Sequence, residues 1–150
     1  MANKGLNERE LAAWRTSIRM MELLRGRLEQ QLQANCSLSL ADYSVLTTLS
    51  EAPGGRMRLY ELGQAVNWEK SRLHHQLTRM AKRGLIDREP CGSRGIEAAI
   101  TAHGFAVIRE AAPGHARAVR QLFVDRLAPE ELDQFAELAG TILSDLEAEQ

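Results

Sequence analysis

From residue 8 to residue 33 the apolar positions Leu11, Trp14, Ile18, Met21, Leu24, Leu28 and Leu32 recur at spacings of three and four, the period of a helix with one apolar stripe. The stretch "NCSLSLAD" interrupts the pattern. There Ser39 is placed to cap a second helix through Leu40, Tyr43, Leu46 and Leu49, with Asp42 standing where a capping box usually has Glu. "APGG" at 52–55 stops that helix. "MRLYELGQAV" reads as a short extended lead-in and then a short helix from about Leu59 to Val66. "EKSRLHHQLTRMAKRGLI", residues 69–86, supplies the next helix to about Arg83. Gly84 sits at its C-cap, with Lys82 and Arg83 on the negative end of the helix dipole.

After Gly84, "LIDREP" is extended, "CGSRG" is a turn, and "IEAAI" alternates as a strand does, so the two form a hairpin. Thr101 is placed to cap another long helix through Phe105 and Ile108. Pro113-Gly114 is expected to break or kink it before Val119, Leu122 and Phe123 resume the pattern. Pro129 suits the first turn of a last helix carrying Leu132, Phe135, Leu138, Ile142 and Leu146. The predicted fold class is mostly α with a small β-hairpin wing. Two short helices followed by a hairpin make a winged helix-turn-helix, whose second helix enters the DNA major groove.

Residues 69–86 can be tested as that helix. At about 100° per residue, Leu77, Met80 and Gly84 fall on the side of Leu73, while Ser71, His75, Thr78 and Lys82 cluster opposite, flanked by Arg72 and Arg79. One face suits a core. The other offers hydroxyl, imidazole and guanidinium groups to base edges and phosphates. Charge sharpens this reading. The whole chain is nearly neutral, at -1, yet residues 56–94 hold nine basic residues against four acidic, and residues 120–150 two basic against eight acidic. A basic middle in a neutral chain is the footprint of a polyanion site.

Composition narrows the class. With 150 residues, 44% hydrophobic and 26% charged, the chain has the balance of a soluble globular protein of one domain or two small lobes. No apolar run approaches a membrane span, and "MANKGLNERELAAW" lacks a signal core, so a cytoplasmic location is expected. Two cysteines far apart, Cys36 and Cys91, fit a reducing compartment. Adjacent His74 and His75 point about 100° apart and cannot chelate one ion together, so no metal or other cofactor is expected. No Gly-rich phosphate loop, GxSxG or metal-spaced His/Asp cluster is present, which argues against an enzyme.

At this point the chain resembles the MarR-type transcriptional regulators over nearly its whole length. "LYELGQAVNWEKSRLHHQLTRMAKRGLIDRE" is similar to their helix-turn-helix. A wing and then "ITAHG", in place of Leu-Thr-x-x-Gly, follow in the family's order. The wing has "GSRG" where the family usually has Asp-x-Arg or Asp-Arg-Arg, with Arg94 at the place of the wing-tip Arg that reaches the minor groove.

The resemblance implies a homodimer on pseudopalindromic double-stranded DNA. Residues 1–36 and 102–150 would form a helical dimerisation lobe, and residues 37–101 the winged helix-turn-helix lobe. The implied DNA-binding residues are Lys70, Ser71, Arg72, His74, His75, Thr78, Arg79, Lys82 and Arg94. A ligand-responsive repressor is implied, with Trp14, Arg15, Arg19 and Tyr43 as candidates for a small aromatic or anionic effector. Two alternatives stay open. One is a thiol-redox regulator using Cys36, in the interhelical loop, or Cys91, whose pKa nearby Arg88 and Arg94 would lower. The other is a winged helix that docks proteins, although such a face should be apolar or aromatic rather than basic.

Overall fold

Asn7 and Glu10 close a capping box that starts the first helix, α1 (Glu8–Cys36). The Asn7 side chain accepts from the Glu10 amide, and the Glu10 carboxylate accepts from the Asn7 amide, each at 2.9 Å. The computed structural model describes residues 5–93 and 95–150. Helix α2 (Leu40–Glu51) starts at Ser39 with the box the sequence predicts, Asp42 reaching back to the Ser39 amide at 2.9 Å. A single 3-10 turn at Pro53–Gly55 ends it. Then come strand β1 (Arg56–Arg58), helices α3 (Leu59–Val66) and α4 (Lys70–Lys82), and strands β2 (Ile86–Cys91) and β3 (Gly95–Ile100). Helices α5 (Ala102–Leu122) and α6 (Pro129–Ala148) complete the chain.

The extended lead-in becomes part of the wing. β1 pairs antiparallel with β3, giving a three-stranded sheet in the order β1-β3-β2. Glu89 and Glu97 stand opposite each other in the β2–β3 register, a repulsive cross-strand pair. Arg56 offsets it, with its Nη1 3.6 Å from both carboxylates.

The core explains why the pattern of residues 38–100 folds as it does. Leu38, Val45, Leu46, Leu49, Leu62, Leu73, Leu77, Met80, Leu85 and Ile86 are buried together with Ala98 and Ile100. Gly84 takes the left-handed conformation (φ 72°) that a helix-ending glycine accepts without strain. Thr101 ties the wing to α5. Its hydroxyl donates to the Gly84 carbonyl at 2.6 Å and accepts from the Gly104 amide at 2.9 Å. A Cβ at Gly104 would collide with the Leu85 carbonyl oxygen, so "ITAHG" is a packing requirement as well as a cap.

Of the break or kink expected at Pro113, the break does not occur; α5 runs through Pro113 and Gly114. Proline leaves the carbonyl four residues earlier without its helical donor. Both Arg109 and Pro113 are exposed, so water can serve that carbonyl. The chain divides within α5 into two compact units, Met1–His115 and Ala116–Gln150. In the second, Pro129 opens α6 as predicted, Glu131 accepts from the Ala128 amide at 2.9 Å, and Phe123 meets Phe135 edge-to-face at 5.3 Å. No residue of α6 is buried.

Candidate nucleic-acid interface

Helix α3 ends on Asn67 in the left-handed conformation (φ 56°), and the Trp68 amide donates to the Gly63 carbonyl at 3.0 Å. This turn delivers the chain to α4, whose first turn has no side-chain cap. Its amides are open to an anion. Leu73, Leu77 and Met80 are buried, as the helical period requires. Lys70, Ser71, Arg72, His74, His75, Arg79 and Lys82 are exposed, and Thr78 is half-buried. Seven of the nine residues assigned to DNA therefore share one uncovered surface. Arg94 lies outside the described residues.

Three of the α4 side chains assigned to DNA are held in place, Arg79 by Gln76 and two others by neighbouring elements. The Arg72 guanidinium carbon lies 4.5 Å from the centroid of the Trp68 ring, a cation–π distance. The Thr78 hydroxyl donates to the His74 carbonyl at 2.9 Å and accepts from Arg88 Nη1 at 3.1 Å. The hydroxyl is thus committed inside the lobe, and Arg88 links β2 to α4.

The positive charge is less freely available than the count of nine suggests. Arg56 is engaged by Glu89 and Glu97. Arg83 donates to Asp42 Oδ2 at 2.7 Å and to the Ser37 carbonyl at 2.5 Å. Asp42, 4% exposed, also accepts from Gln76 Nε2 at 2.6 Å, and Gln76 Oε1 accepts from Arg79 Nη2 at 2.8 Å. The sequence supplied Asp42 as a cap and nothing more. Gln76 carried no readable signal beyond being a polar residue about 60° from Leu73 on the wheel, where an apolar one is expected.

The candidate effector residues do not meet within one chain. Tyr43 lies against the His115 ring at 4.2 Å and near Cys36, the last residue of α1. Trp14 and Arg19 stand about 33 and 25 Å back along that helix at 1.5 Å per residue. Trp14, Arg15 and Arg19 are exposed. Beside Tyr43 the more telling atom is His115 Nδ1, buried and without a hydrogen-bond partner among the described residues. Burial raises the Tyr43 pKa and lowers that of His115. A separate open groove of about 510 Å³, lined by Thr48, Glu51, Arg56, Met57, Arg58, Glu61 and Glu97, holds none of the predicted effector residues.

The thiols also differ from expectation. Cys36 is the last residue of α1 rather than part of the loop, and it packs against the core. The Cys91 pKa is raised, chiefly by its hydrogen bond to Glu97, where the sequence suggested lowering by Arg88 and Arg94. Glu97 is brought alongside by the β2–β3 register, which the sequence does not display. Among the described residues no three His, Cys, Asp or Glu side chains gather as a metal site, and no helix is long and apolar enough to cross a membrane.

The sequence model of the MarR family matches residues 38–93. AbsC, a MarR family transcriptional regulator from Streptomyces coelicolor, is 40% identical, with a TM-score of 0.91 over 97% of this chain and 99% of its own. Sco3205, a MarR family transcriptional regulator from the same organism whose structure is in complex with DNA, is 37% identical, with a TM-score of 0.90 over 94% of this chain and 93% of its own. The PcaV transcriptional regulator of Streptomyces coelicolor, 21% identical with a TM-score of 0.72 over 91% of this chain and 98% of its own, shares the fold. No curated protein matches the chain significantly.

Proposed function

The chain belongs to the MarR family of transcriptional regulators, and from that premise we propose that it binds a pseudopalindromic operator in double-stranded DNA as a homodimer. The observation that carries this reading is the uncovered face of α4. Lys70, Arg72, Arg79 and Lys82 are exposed there with Ser71, His74 and His75, while the opposite face is core. A helix of that construction offers donors to base edges and charges to phosphate. The 37% identical relative in complex with DNA supports it.

Lys70 and Lys82 meet phosphate, and the open first turn of α4 adds amide donors. Arg72 and Arg79 read base edges from the flanks. Arg94, on sequence and family resemblance alone, enters the minor groove from the wing tip. Residues 1–36 and 102–150 serve as the dimerisation lobe, supported by exposed Trp14, Met21 and Leu23 on α1 and Leu138, Ile142 and Leu146 on α6. Two α4 helices about one DNA turn apart then read two half-sites.

The regulator is a ligand-responsive repressor of the cytoplasm. Its small aromatic or anionic effector meets Tyr43, with Trp14, Arg15 and Arg19 as the further candidate contacts. The buried His115 Nδ1 beside Tyr43, without a partner among the described residues, supports a polar ligand there. The raised Cys91 pKa speaks against thiol switching at the wing, and the basic α4 face speaks against a protein-docking module.

The test is a binding selection from randomised duplex DNA with the purified chain. A palindromic consensus with half-sites about one helical turn apart is expected. Binding without sequence preference overturns the reading.

A further inference from the structure

Gln76 is the one polar residue on the buried side of α4. It is 6% exposed, among Leu73, Leu77 and Met80. A buried amide must find partners for both ends or lose the cost of desolvating them. Gln76 finds both. Its Nε2 donates to Asp42 Oδ1 at 2.6 Å, and its Oε1 accepts from Arg79 Nη2 at 2.8 Å. Asp42 can accept only, which fixes which way the amide points. The amide oxygen is therefore turned outward, toward Arg79.

Asp42 is itself held by three further groups. Its Oδ2 accepts from the Ser39 amide at 2.9 Å and from Arg83 Nη1 at 2.7 Å, and its backbone amide donates to Ser39 Oγ at 2.9 Å. The chain of bonds runs from the first turn of α2 through a buried carboxylate and a buried amide to an exposed guanidinium. Arg79 has a flexible side chain with five donors, and only Nη2 is engaged among the described residues. The others remain available.

Resting on the DNA-binding reading above, we propose that Gln76 is a positioning residue for base recognition. Anchored on Asp42, it holds the Arg79 guanidinium in the orientation that reads one base pair of each half-site, without touching DNA itself. Fixing the guanidinium before DNA arrives removes ordering cost from the bound state and restricts the donor pairs it can present to guanine. A residue of the lobe interior would in this way set sequence preference.

The experiment uses the full chain in four forms, wild type, Gln76→Met, Arg79→Ala and the double variant, each taken through selection from a randomised operator library and through thermal melting. Methionine keeps the volume of Gln76 and removes both hydrogen bonds. Arg79→Ala is expected to abolish preference at one position of each half-site. Gln76→Met is expected to weaken preference at that same position by about 2- to 13-fold, the worth of one hydrogen bond, and to leave the other positions alone. In the Arg79→Ala background, Gln76→Met should change the consensus no further, while lowering the melting temperature in both backgrounds.

Three results overturn the inference. One is an even loss of affinity across all sequences in Gln76→Met, which marks a purely structural residue. Another is an additive effect on the consensus in the double variant. The third is an unchanged consensus in Arg79→Ala. A wild type with no consensus at all overturns instead the DNA-binding reading on which the inference rests. Should Gln76→Met fail to fold, Gln76→Asn provides a second comparison, because it keeps an amide beside Asp42 but is one methylene too short to bridge Asp42 and Arg79. Weakened preference at the Arg79 position supports the relay, and a wild-type consensus overturns it.

Discussion

Helices α4 and α6 each leave a face uncovered, and the two faces are chemical opposites. On α4 the exposed residues are Lys70, Arg72, His74, His75, Arg79 and Lys82. On α6 they include Leu138 (69% exposed), Ile142 (63%), Leu143 and Leu146. A charged face is stable in water and waits for a charged partner at little cost. A continuous stripe of large aliphatic side chains is not, and such a patch marks an association surface. On the proposed function one chain thus carries two surfaces with different partners, a polyanion for α4 and a second apolar surface for α6.

The sharpest way to break the comparison is to make the second face resemble the first. In a two-fold interface each substitution counts twice. Replacing Leu138 and Ile142 with Glu should forfeit about 1.5 kcal/mol of burial per side chain, some 6 kcal/mol over both copies, or roughly 10⁴-fold in the dimer's Kd. Light scattering at micromolar concentration should show a dimer for the wild type and a monomer for the variant, and operator affinity should fall with it. A dimer of unchanged mass would show that the stripe has another purpose.

Next in size is the response to salt, which should separate the two faces. With about six phosphate contacts per dimer, operator affinity should drop on the order of a thousandfold between 50 and 200 mM salt. Dimer mass should not change over that range, because apolar burial is insensitive to screening. DNA affinity that barely responds would remove α4 from the role given to it.

How far these surfaces were legible in the sequence depends on whether local spacing sets them. The apolar period of α4, the Ser39–Asp42 box, Gly84 at a helix end and Pro129 at a helix start are all local, and each appears where spacing puts it. Pro113 does not break α5, because proline's cost depends on whether the orphaned carbonyl can reach water, which is a matter of exposure and not of local spacing. The pairing of β1 with β3 joins residues some forty positions apart. The Asp42–Gln76 and Asp42–Arg83 bonds span 34 and 41 positions. Nothing periodic announces such contacts, and charge counting scored Arg56 and Arg83 as DNA charge when both face carboxylates.

Within α4 the two flanking arginines sharpen the comparison further. Arg72→Ala or Arg79→Ala should each cost about 1–3 kcal/mol on the selected operator and relax one position of each half-site. Trp68→Leu should reproduce a fraction of the Arg72 loss, about 0.5–1 kcal/mol, because the ring orients the guanidinium without being replaced by it. Titrating these variants against consensus and single-mismatch duplexes distinguishes the roles. If Trp68→Leu costs as much as Arg72→Ala, the ring contributes to DNA directly. Arg94→Ala should weaken binding to most sequences alike and leave the major-groove consensus intact.

The smallest expected effect concerns a polar atom that is covered yet unpaired, a condition shared by neither exposed face. His115 Nδ1 is buried beside Tyr43 without a partner among the described residues. Burial lowers the His115 pKa below its ordinary 6.5, so the folded chain favours the neutral ring. The unfolded chain then binds the extra proton first as pH falls. Stability from the neutral ring is complete above about pH 6.5 and is lost as pH drops below that value toward the lowered folded pKa. His74, His75 and His103 are exposed and occur in wild type and variant alike, so comparison of the two isolates His115. Melting temperatures at pH 7.5 and 5.5 should fall more in wild type than in His115→Gln, whose side chain has no proton to gain. The imidazole is only partly shielded, which keeps the difference to a small shift. Equal falls in both proteins would mean that His115 is as well solvated as the other histidines, and the orphaned atom would lose its claim to a polar ligand.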